Sequence, residues 1–409
     1  MKHRIEKCFC FLVAAMLFFG GLPVRAAETS RTVYVTATAE LHEALKTARP
    51  GDEIIVAPGI YIGKLGGSAS GHGSSFFNSD QSGTPQAPII LRSEDPLDKA
   101  VFIGERANTG NVLRITGDYW IIEDLKITGA QKGIMLDNAS HCVLRGCEVY
   151  DIGMEGIHLR DNSCSNLIED CCVTRTGIQN ASYGEGIYIG SAKSAWATYG
   201  AACHDNTVRG CRIGPYVAAE HVDIKEGTLR TTIEGCIMDG TGMKGANYAD
   251  SFIDVKGSGA VIRENVCYRN GNTVIADAFQ VHCQLDDWGR DNLFENNTLY
   301  MDITEGYVVN ASQANTSAMA RDNIRCPAGR MYLGNVEDLS EKEDPVQPGG
   351  DPDVQPEPPP APADTYDSTA VYTAGDEVVY QGRIYRARWW TQGTAPDPQD
   401  AWGVWQLVE

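Results

Sequence analysis

The stretch Gly186-Ile187-Tyr188-Ile189-Gly190 is followed 35 residues later by His221-Val222-Asp223-Ile224-Lys225. Each stretch places a small or variable residue first, apolar residues second and fourth, and unconstrained residues third and fifth. The same pattern begins at Gly133, Gly156, Phe252, Ala278 and Gly306, so neighbouring segments start 23 to 35 residues apart. Short alternating strands at such a period are typical of solenoid proteins. The sequence therefore predicts an all-β fold, a right-handed, single-stranded parallel β-helix.

Alternation along each predicted strand sends the second and fourth residues into the core and the third and fifth to the outer face. Stacking of the strands then creates two outward columns of side chains. The third-position column comprises Met135, His158, Tyr188, Asp223, Asp254, Gln280 and Val308. The fifth-position column comprises Asp137, Arg160, Gly190, Lys225, Lys256, His282 and Asn310. Because polar and titratable side chains dominate both columns, we expect the chemistry of the protein on this face.

The residues that precede Met135, the first residue of these columns, predict how the solenoid begins. A strand is expected at Thr32–Val35, and an amphipathic helix at Glu40–Ala48 is placed to cover the open end of the core. The Gly- and Ser-rich stretch Gly66–Pro85 is predicted to be a long turn. Strands resume at Ile89–Arg92, and the rungs continue to about Arg325. We place this β-helix domain at residues 27–340.

Composition and charge narrow the classes of partner. The 409-residue chain is 43% apolar, contains 43 glycines and carries a formal net charge of −20. Such a charge disfavours nucleic acid and anionic membranes as partners. An acidic polymer would need a local basic stripe, and the fifth-position column supplies one with Arg160, Lys225, Lys256 and His282.

The first 26 residues are predicted to be a signal peptide, because basic residues precede an apolar run and Val24-Arg25-Ala26 fits a cleavage site. A membrane-spanning helix is the alternative, but the apolar run is short for that role. We therefore expect a secreted, extracellular protein, and a monomer.

Cysteines form a column of their own rather than a disulfide framework. Of the thirteen, two lie in the predicted signal peptide, which leaves an odd eleven. Cys147, Cys171, Cys211 and Cys236 align with Asn265 and Asn297 at one position of successive rungs. One cysteine per rung lacks the paired spacing of a zinc site. We expect an inward stack of reduced thiols that gives way to an asparagine ladder.

The last part of the chain differs in composition. Residues 341–365 are rich in proline and acidic residues, which predicts an extended linker. Residues 366–409 carry four tryptophans and short β runs, which predicts a separate small β module.

Cleaving a uronic acid polymer by β-elimination requires three tasks: screening the carboxylate, removing the neighbouring proton, and protonating the departing oxygen. Tyr188 and Lys225 occupy diagonal outward positions on adjacent rungs, with Cα atoms ~8 Å apart and Gly190 leaving a gap between them. They are candidates for the two proton transfers. Lys256 lies one rung further, and repulsion between the two amines is expected to lower the pKa of one of them, although Asp223 and Asp254 oppose this effect. Arg160, Lys256 and His282 are expected to screen the carboxylate.

Three runs resemble polysaccharide lyase family 31: Glu185 to Gly190, His221 to Thr228, and Asp239 to Asn247 leading to Asp254-Val255-Lys256-Gly257. The resemblance implies a β-helical lyase acting on β-1,4-linked polyuronates, alginate among them. We expect it to cleave alginate, polymannuronate or glucuronan within the polymer. The resemblance also implies catalytic acid and base roles for Tyr188 and Lys225. We expect a set of neighbours to bind the acidic polysaccharide: Arg160, His158, His221, Lys256, Gln280, His282, Asp223 and Asp254.

The C-terminal piece resembles the chitin-binding modules of carbohydrate-binding families 5 and 12, through Tyr372 to Val378, Tyr380 to Gly393 and Trp402 to Trp405. The resemblance implies binding to insoluble chitin or another β-glycan. Flat aromatic rings bind the apolar faces of sugars. Trp389, Trp390 and Tyr385 are the candidates for that contact.

Two other functions fit the same scaffold. A glycoside hydrolase needs two carboxylates across the scissile bond, but Asp223 and Asp254 stack ~4.8 Å apart, less than the ~6.5 Å of an inverting pair. A non-catalytic wall-binding protein or adhesin would form no product at all. We expect no cofactor and no metal ion, since acidic residues beside the groove also suit purely structural roles.

Overall fold

The computed structural model describes residues 30–66, 73–340, 364–372, 376–381, 383–387, 391–396 and 404–408. The chain divides into two compact units, Met1–Glu341 and Lys342–Glu409. The predicted signal peptide and most of the predicted linker lie outside the described residues. No helix among those residues is long and apolar enough to cross a membrane.

The larger unit is a parallel β-helix with three sheets, which confirms the predicted fold class. We call them the ladder sheet, after a column of alternating charges on its outer face, the groove sheet, after a cavity on its outer face, and the third sheet. The ladder sheet contains Thr32–Val35, Glu53–Val56, Ile89–Ser93, Trp120–Glu123, Val143–Arg145, Leu167–Glu169, Thr207–Arg209, Thr232–Glu234, Val261–Arg263, Asn292–Glu295, Ala318–Arg321 and Val336–Asp338. The groove sheet contains Ser75–Ser79, Asn111–Ile115, Lys132–Asp137, Ile157–Arg160, Ile187–Ile189, Val222–Ile224, Ser251–Val255, Asp277–Val281, Val309–Ala311 and Tyr332–Gly334. The third sheet contains Ile60–Ile62, Val101–Ile103, Lys126–Thr128, Glu148–Tyr150, Cys172–Thr174, Arg212–Ile213, Ile237–Asp239, Val266–Tyr268, Thr298–Tyr300 and Ile324–Cys326.

One α-helix closes the N-terminal end. It spans Thr38–Thr47, two residues earlier at its start than predicted, because Glu40 Oε2 accepts hydrogen bonds from the backbone N–H groups of Thr36 at 2.8 Å and Ala37 at 3.2 Å. Leu41 and Leu45 are fully buried in the β-helix core. The helix therefore covers the apolar end of the solenoid, as expected. Three short 3₁₀ helices span Ala181–Tyr183, Lys193–Ala195 and Ala246–Tyr248.

The predicted long turn at Gly66–Pro85 is wrong in its middle. Ser75–Ser79 forms a strand that pairs in parallel with Asn111–Ile115. Phe76 and Phe77 are buried in the core beneath it. The burial of two adjacent aromatic rings outweighs the turn propensity of the surrounding glycines and serines.

The strand register of the groove sheet follows the prediction from Gly133 to His282. Met135 pairs with His158, His158 with Tyr188, Tyr188 with Asp223, Asp223 with Asp254, and Asp254 with Gln280. The last rung was predicted two residues out of place, since Gln280 pairs with Asn310 rather than Val308. Val308 is buried in the core, whereas the prediction placed it outside.

The cysteine column lies at the corner between the ladder sheet and the third sheet, and it points inward as predicted. Cys147, Cys171, Cys211 and Cys236 are buried, and all eleven described cysteines are free thiols. The asparagine ladder starts where Oδ1 of Asn265 accepts a hydrogen bond from the backbone N–H of Cys236 at 2.9 Å. It continues through Asn297.

The ladder sheet carries a regular pattern of charge on its outer face. At one register position arginine and glutamate alternate on nine successive strands: Arg92, Glu123, Arg145, Glu169, Arg209, Glu234, Arg263, Glu295 and Arg321. Arg145 contacts both neighbours, Glu123 at 2.5 Å and Glu169 at 2.9 Å. We call this column the Arg–Glu ladder.

The smaller unit has a four-stranded sheet of Asp364–Thr365, Glu377–Tyr380, Arg383–Ala387 and Trp405–Leu407, and a two-stranded sheet of Val371–Tyr372 and Thr391–Gln392. Tyr385 was expected to contact sugar, but it is buried with Val378 and Trp405 in the core of this unit. Strand alternation turns its ring inward. Trp389 and Trp390 lie outside the described residues.

Candidate active site

A cavity of about 520 Å³ lies on the outer face of the groove sheet. Its floor is formed by four successive rungs, from the one that carries Tyr188 to the one that carries Gln280. Beneath the floor, Ile189, Ile224 and Val255 are buried in the core, so alternation turns the polar residues between them outward. The lining residues are Glu185, Ala192, Lys193, Ser194, Glu220, Asp223, Lys225, Glu226, Asn247, Tyr248, Asp250, Asp254, Lys256, Gln280, His282 and Gln284. We call this cavity the groove.

Carboxylates and amines alternate across the floor of the groove. Asp223 joins two lysines, with Oδ2 at 2.6 Å from Nζ of Lys225 and Oδ1 at 2.8 Å from Nζ of Lys256. Lys256 also contacts Oδ2 of Asp254 at 2.6 Å. Nε2 of His282 lies 2.8 Å from Asp254 Oδ1, although its hydrogen bond is to Oε1 of Gln280 at 3.1 Å. Lys225 therefore belongs to one network of contacts with five other predicted site residues: Asp223, Asp254, Lys256, Gln280 and His282.

The predicted lowering of the lysine pKa is wrong. Burial opposes the charged form of Lys225, but the attraction and hydrogen bond of Asp223 raise its pKa above the ordinary value. The same balance raises the pKa of Lys256, since Asp223 and Asp254 outweigh both burial and the repulsion of Lys225. Both amines are therefore ammonium groups in the free protein, because their carboxylate neighbours outweigh the effect of burial.

Tyr188 contacts Lys225 directly. Nζ of Lys225 lies 4.8 Å from the centre of the phenol ring. This contact closes the gap expected between the two side chains. Burial, followed by the negative charges of Asp223 and Glu185, raises the pKa of the Tyr188 hydroxyl well above its ordinary value. The side chain is 8% exposed and adjoins the lining residues rather than belonging to them.

Gly190 explains how Tyr188 and Lys225 come together. Its φ of 108° lies in the left-handed region, and a Cβ atom there would sit 2.9 Å from Cβ of Lys225. Any larger residue would therefore displace the lysine. The Gly190 carbonyl also accepts a hydrogen bond from Nε2 of His158 at 3.1 Å.

Three predicted contact residues do not line the groove. His158 is buried behind Tyr188, with ring centres 4.3 Å apart. Arg160 is held by two hydrogen bonds of 2.7 Å to Asp137 and stacks on Tyr199, so it is not grouped with Lys256 and His282 as expected. His221 is fully buried, because the first position of its rung faces the core, and its Nε2 contacts the carbonyl of Asp239. Burial lowers its pKa to about 4.

Four acidic residues that line the groove were not among the predicted site residues: Glu185, Glu220, Glu226 and Asp250. Glu185 and Glu220 lie with Asp223 so that one oxygen of each is within 4.8 Å of the others. Burial raises the pKa of Glu185 well above its usual range, and burial with the charges of Asp223 and Asp254 raises that of Glu220 to about 8. Both precede the first position of a rung, as Glu155 does in the rung before. That repeated acidic position is the signal that would have revealed them.

The three carboxylates can be neutralised in two ways. Protons on Glu185 and Glu220 would make them neutral acids at neutral pH. Alternatively, Glu185, Glu220 and Asp223 supply the oxygen ligands that Mg²⁺ and Ca²⁺ prefer. Oε2 of Glu185 is buried without a hydrogen-bond partner, which leaves it available to either.

Loops that follow the strands form the walls of the groove. Lys193 comes from the connection after Ile187–Ile189, Tyr248 from the one after Ile237–Asp239, and Gln284 from the one after Asp277–Val281. Tyr248 is 91% exposed and has a φ of 65°.

Comparison with known proteins supports the two-part organisation. Residues 98–250 match the right-handed β-helix region, and residues 365–406 match carbohydrate-binding module family 5/12. The crystal structure of an alginate lyase from Paenibacillus sp. str. FPU-7 is 49% identical, with a TM-score of 0.71 over 75% of this chain and 99% of that chain.

More distant similarities are narrower. A pectate lyase is 15% identical with a TM-score of 0.55, over 78% of this chain and 80% of that one, and shows the fold alone. Chitinase A of Pseudoalteromonas piscicida is 42% identical over 38 residues, which are 9% of this chain and 5% of the chitinase. This chain therefore spans only a small part of the chitinase.

Proposed function

This chain belongs to the family of the Paenibacillus alginate lyase and is a polysaccharide lyase with a carbohydrate-binding module, and we propose that it cleaves a β-1,4-linked polyuronate within the polymer by β-elimination. The candidate substrates are alginate, in particular polymannuronate, and glucuronan. The observation that carries the proposal is the contact between Tyr188 and Lys225 beside the charged floor of the groove.

The reaction transfers two protons and breaks one bond. A base removes the hydrogen at C5 of the uronate, the electron pair forms a C4=C5 double bond, and the C4–O bond breaks. An acid protonates the departing oxygen, so that one product gains an unsaturated sugar and the other a free hydroxyl. Two groups on the same side of the sugar are sufficient, and Tyr188 and Lys225 lie within reach of one ring.

The proton-transfer roles are assigned to Tyr188 as acid and Lys225 as base. Burial and the charges of Asp223 and Glu185 raise the pKa of Tyr188 well above its ordinary value, so the phenol holds the proton that the leaving oxygen needs. Although burial opposes the charged form of Lys225, Asp223 raises its pKa as well. The ammonium of Lys225 must therefore lose a proton before it can remove the C5 hydrogen.

The substrate carboxylate is assigned to the far side of the groove floor, where Lys256, Gln280 and His282 lie. Neutralising that carboxylate acidifies the neighbouring C5 hydrogen. Six acidic and four basic or histidine side chains line the groove. A polyanion can bind such a surface only if some acidic groups are neutral, by protons or by a cation at Glu185, Glu220 and Asp223.

The remaining assignments concern location and targeting. We assign the protein to the outside of the cell, as a monomer, with the module holding insoluble chitin or another β-glycan and with no role for nucleic acid or membranes. Deleting residues 366–409 should leave activity on soluble polyuronate unchanged and remove binding to insoluble chitin or cellulose. Pull-down on both glycans beside the activity assay tests this, and lost soluble activity would contradict it.

The deciding experiment is a panel of polyuronates scored for ultraviolet absorbance of the new double bond. Polymannuronate, polyguluronate, glucuronan and polygalacturonate would be compared, with viscosity followed in parallel. A fast fall in viscosity at low conversion supports cleavage within the polymer. New reducing ends without absorbance would indicate hydrolysis, and no product on any substrate would leave only a binding role.

A further inference from the structure

One ammonium group of the groove forms no ion pair with a carboxylate in the part of the chain that the structure describes. Lys225 and Lys256 contact Asp223, and His282 contacts Asp254. Among the described residues that line the groove, the remaining cation is Lys193, whose Nζ instead donates a hydrogen bond to the backbone carbonyl of Gln284 at 2.5 Å. This cation is therefore the one whose charge no acidic neighbour neutralises.

The contact crosses the groove wall. Lys193 follows the rung of Tyr188, and Gln284 follows the rung of Gln280, three strands further along the sheet. Three strand spacings amount to ~14 Å, so the Lys193 side chain covers part of that distance beside the catalytic residues. The groove sheet therefore has a positive charge along the path that a polymer would follow.

Both ends of the contact are fixed by other hydrogen bonds. The backbone N–H of Lys193 donates to Oε1 of Glu226 at 2.7 Å, and Trp196 Nε1 donates to the Ser191 carbonyl at 2.8 Å. On the opposite side, the N–H of Cys283 donates to Oε1 of Gln313 at 2.8 Å. The lysine side chain can therefore change partner without moving either loop.

We infer that Lys193 binds the carboxylate of a uronate residue next to the cleaved bond, and leaves the Gln284 carbonyl when the polymer enters. An ammonium makes a stronger hydrogen bond to a carboxylate than to a neutral carbonyl, so the exchange is favourable. The inference rests on the proposed function and adds a specificity-determining residue to it: this subsite requires a charged sugar. This carboxylate belongs to a neighbouring sugar and not to the sugar that loses its C5 hydrogen.

The test compares Lys193→Ala with Lys64→Ala, which removes the same charge from an exposed position outside the groove. Losing a charged hydrogen bond should raise KM for a polyuronate about tenfold or more, with kcat nearly unchanged, because binding rather than chemistry is affected. Lys64→Ala should leave both constants unchanged. Lys193→Arg should restore most of the affinity.

A second measurement separates this inference from the proposed function. In the inactive Lys225→Ala background, binding of a polyuronate oligomer would be measured by calorimetry with and without Lys193→Ala. Lost affinity in the double variant supports the inference, and the loss should disappear for an oligomer whose carboxylates are reduced to alcohols. Unchanged affinity would overturn the role of Lys193, even if the wild type is a lyase. Absence of elimination by the wild type would overturn the proposed function instead.

Discussion

Two faces of the same β-helix use charge in opposite ways. On the ladder sheet, arginine and glutamate alternate strand by strand, so every charge in the interior of the column faces the opposite charge on both sides. On the groove sheet, Tyr188, Asp223 and Asp254 pair in register on successive strands. Glu185 and Glu220, which come just before their strands begin, lie close to Asp223. One face neutralises itself, and the other leaves charge to be neutralised by a ligand.

The difference shows which of the two faces can bind a charged ligand. Exposed pairs of the Arg–Glu ladder contribute little individually and bind nothing further. The groove keeps carboxylates and amines buried, where an unbalanced charge is costly and a substrate that restores the balance binds strongly. The following predictions test this contrast, from the largest effect to the smallest.

Turnover should depend on the groove and not on the ladder. Lys225→Ala and Tyr188→Phe should each lower kcat by about 10²–10⁴-fold, because each removes a proton-transfer group. Arg209→Ala, in the middle of the Arg–Glu ladder, should leave kcat unchanged. Initial rates at saturating polyuronate would measure this, with circular dichroism to verify folding. A Tyr188→Phe variant that is folded and fully active would refute the assignment.

Replacing a carboxylate by an amide should destabilise the protein more in the groove than in the Arg–Glu ladder. Asp223→Asn leaves two buried ammonium groups without their shared partner and should cost about 3–5 kcal/mol of unfolding free energy. Glu169→Gln, between Arg145 and Arg209, should cost under about 1 kcal/mol, because those arginines are nearly half exposed. Denaturant titrations of both variants provide the comparison. Equal losses would show that the two faces do not differ.

Cation binding should be confined to the groove. If Glu185, Glu220 and Asp223 hold a divalent cation, Mg²⁺ or Ca²⁺ at about 100 times its Kd should stabilise the wild type by about 2.7 kcal/mol. Glu220→Gln should remove most of that gain, whereas Glu169→Gln should keep it. Thermal unfolding with added cation or chelator measures the effect. A wild type insensitive to both would mean that protons alone neutralise the cluster.

The pH dependence of stability should include a contribution from His282. Burial opposes its charged form, but Asp254 raises its pKa above the ordinary 6.5. A raised pKa stabilises the folded state fully below pH 6.5, and this contribution is lost as the pH rises through the folded-state value. His282→Gln should therefore lose less stability than the wild type between pH 6 and 8. Parallel unfolding curves for the two proteins across this range would contradict the pairing.

Strand alternation was sufficient to predict most of this architecture from the sequence. It placed Asp223, Lys225, Asp254 and Lys256 on one face in the correct register, because a period of two admits few alternatives once the core residues are apolar. It failed at strand ends, where chain direction changes: His221 faces inward, and Glu185 and Glu220 enter the groove from just before their strands. These positions depend on turn geometry, which the alternation does not encode.

Other predictions failed because the sequence does not show which of several competing interactions is the strongest. Burial, the charges of Asp223 and Asp254, and the repulsion of Lys225 together decide the pKa of Lys256, and only the distances show which effect is strongest. Likewise Arg160 was a suitable ligand by residue type, but Asp137 and Tyr199 hold it elsewhere. The last rung is displaced by two residues from its predicted register. A displacement of two residues preserves the alternation, so the alternation could not reveal it.

The Arg–Glu ladder also limits how this protein can change in length during evolution. Solenoids grow by duplication of repeats, yet copying one rung here would place arginine against arginine or glutamate against glutamate in the ladder. Copying two rungs together keeps the alternation intact. Lineages of this enzyme should therefore gain or lose rungs in pairs, and a homologue with an odd change in rung number should carry a compensating charge substitution at this position.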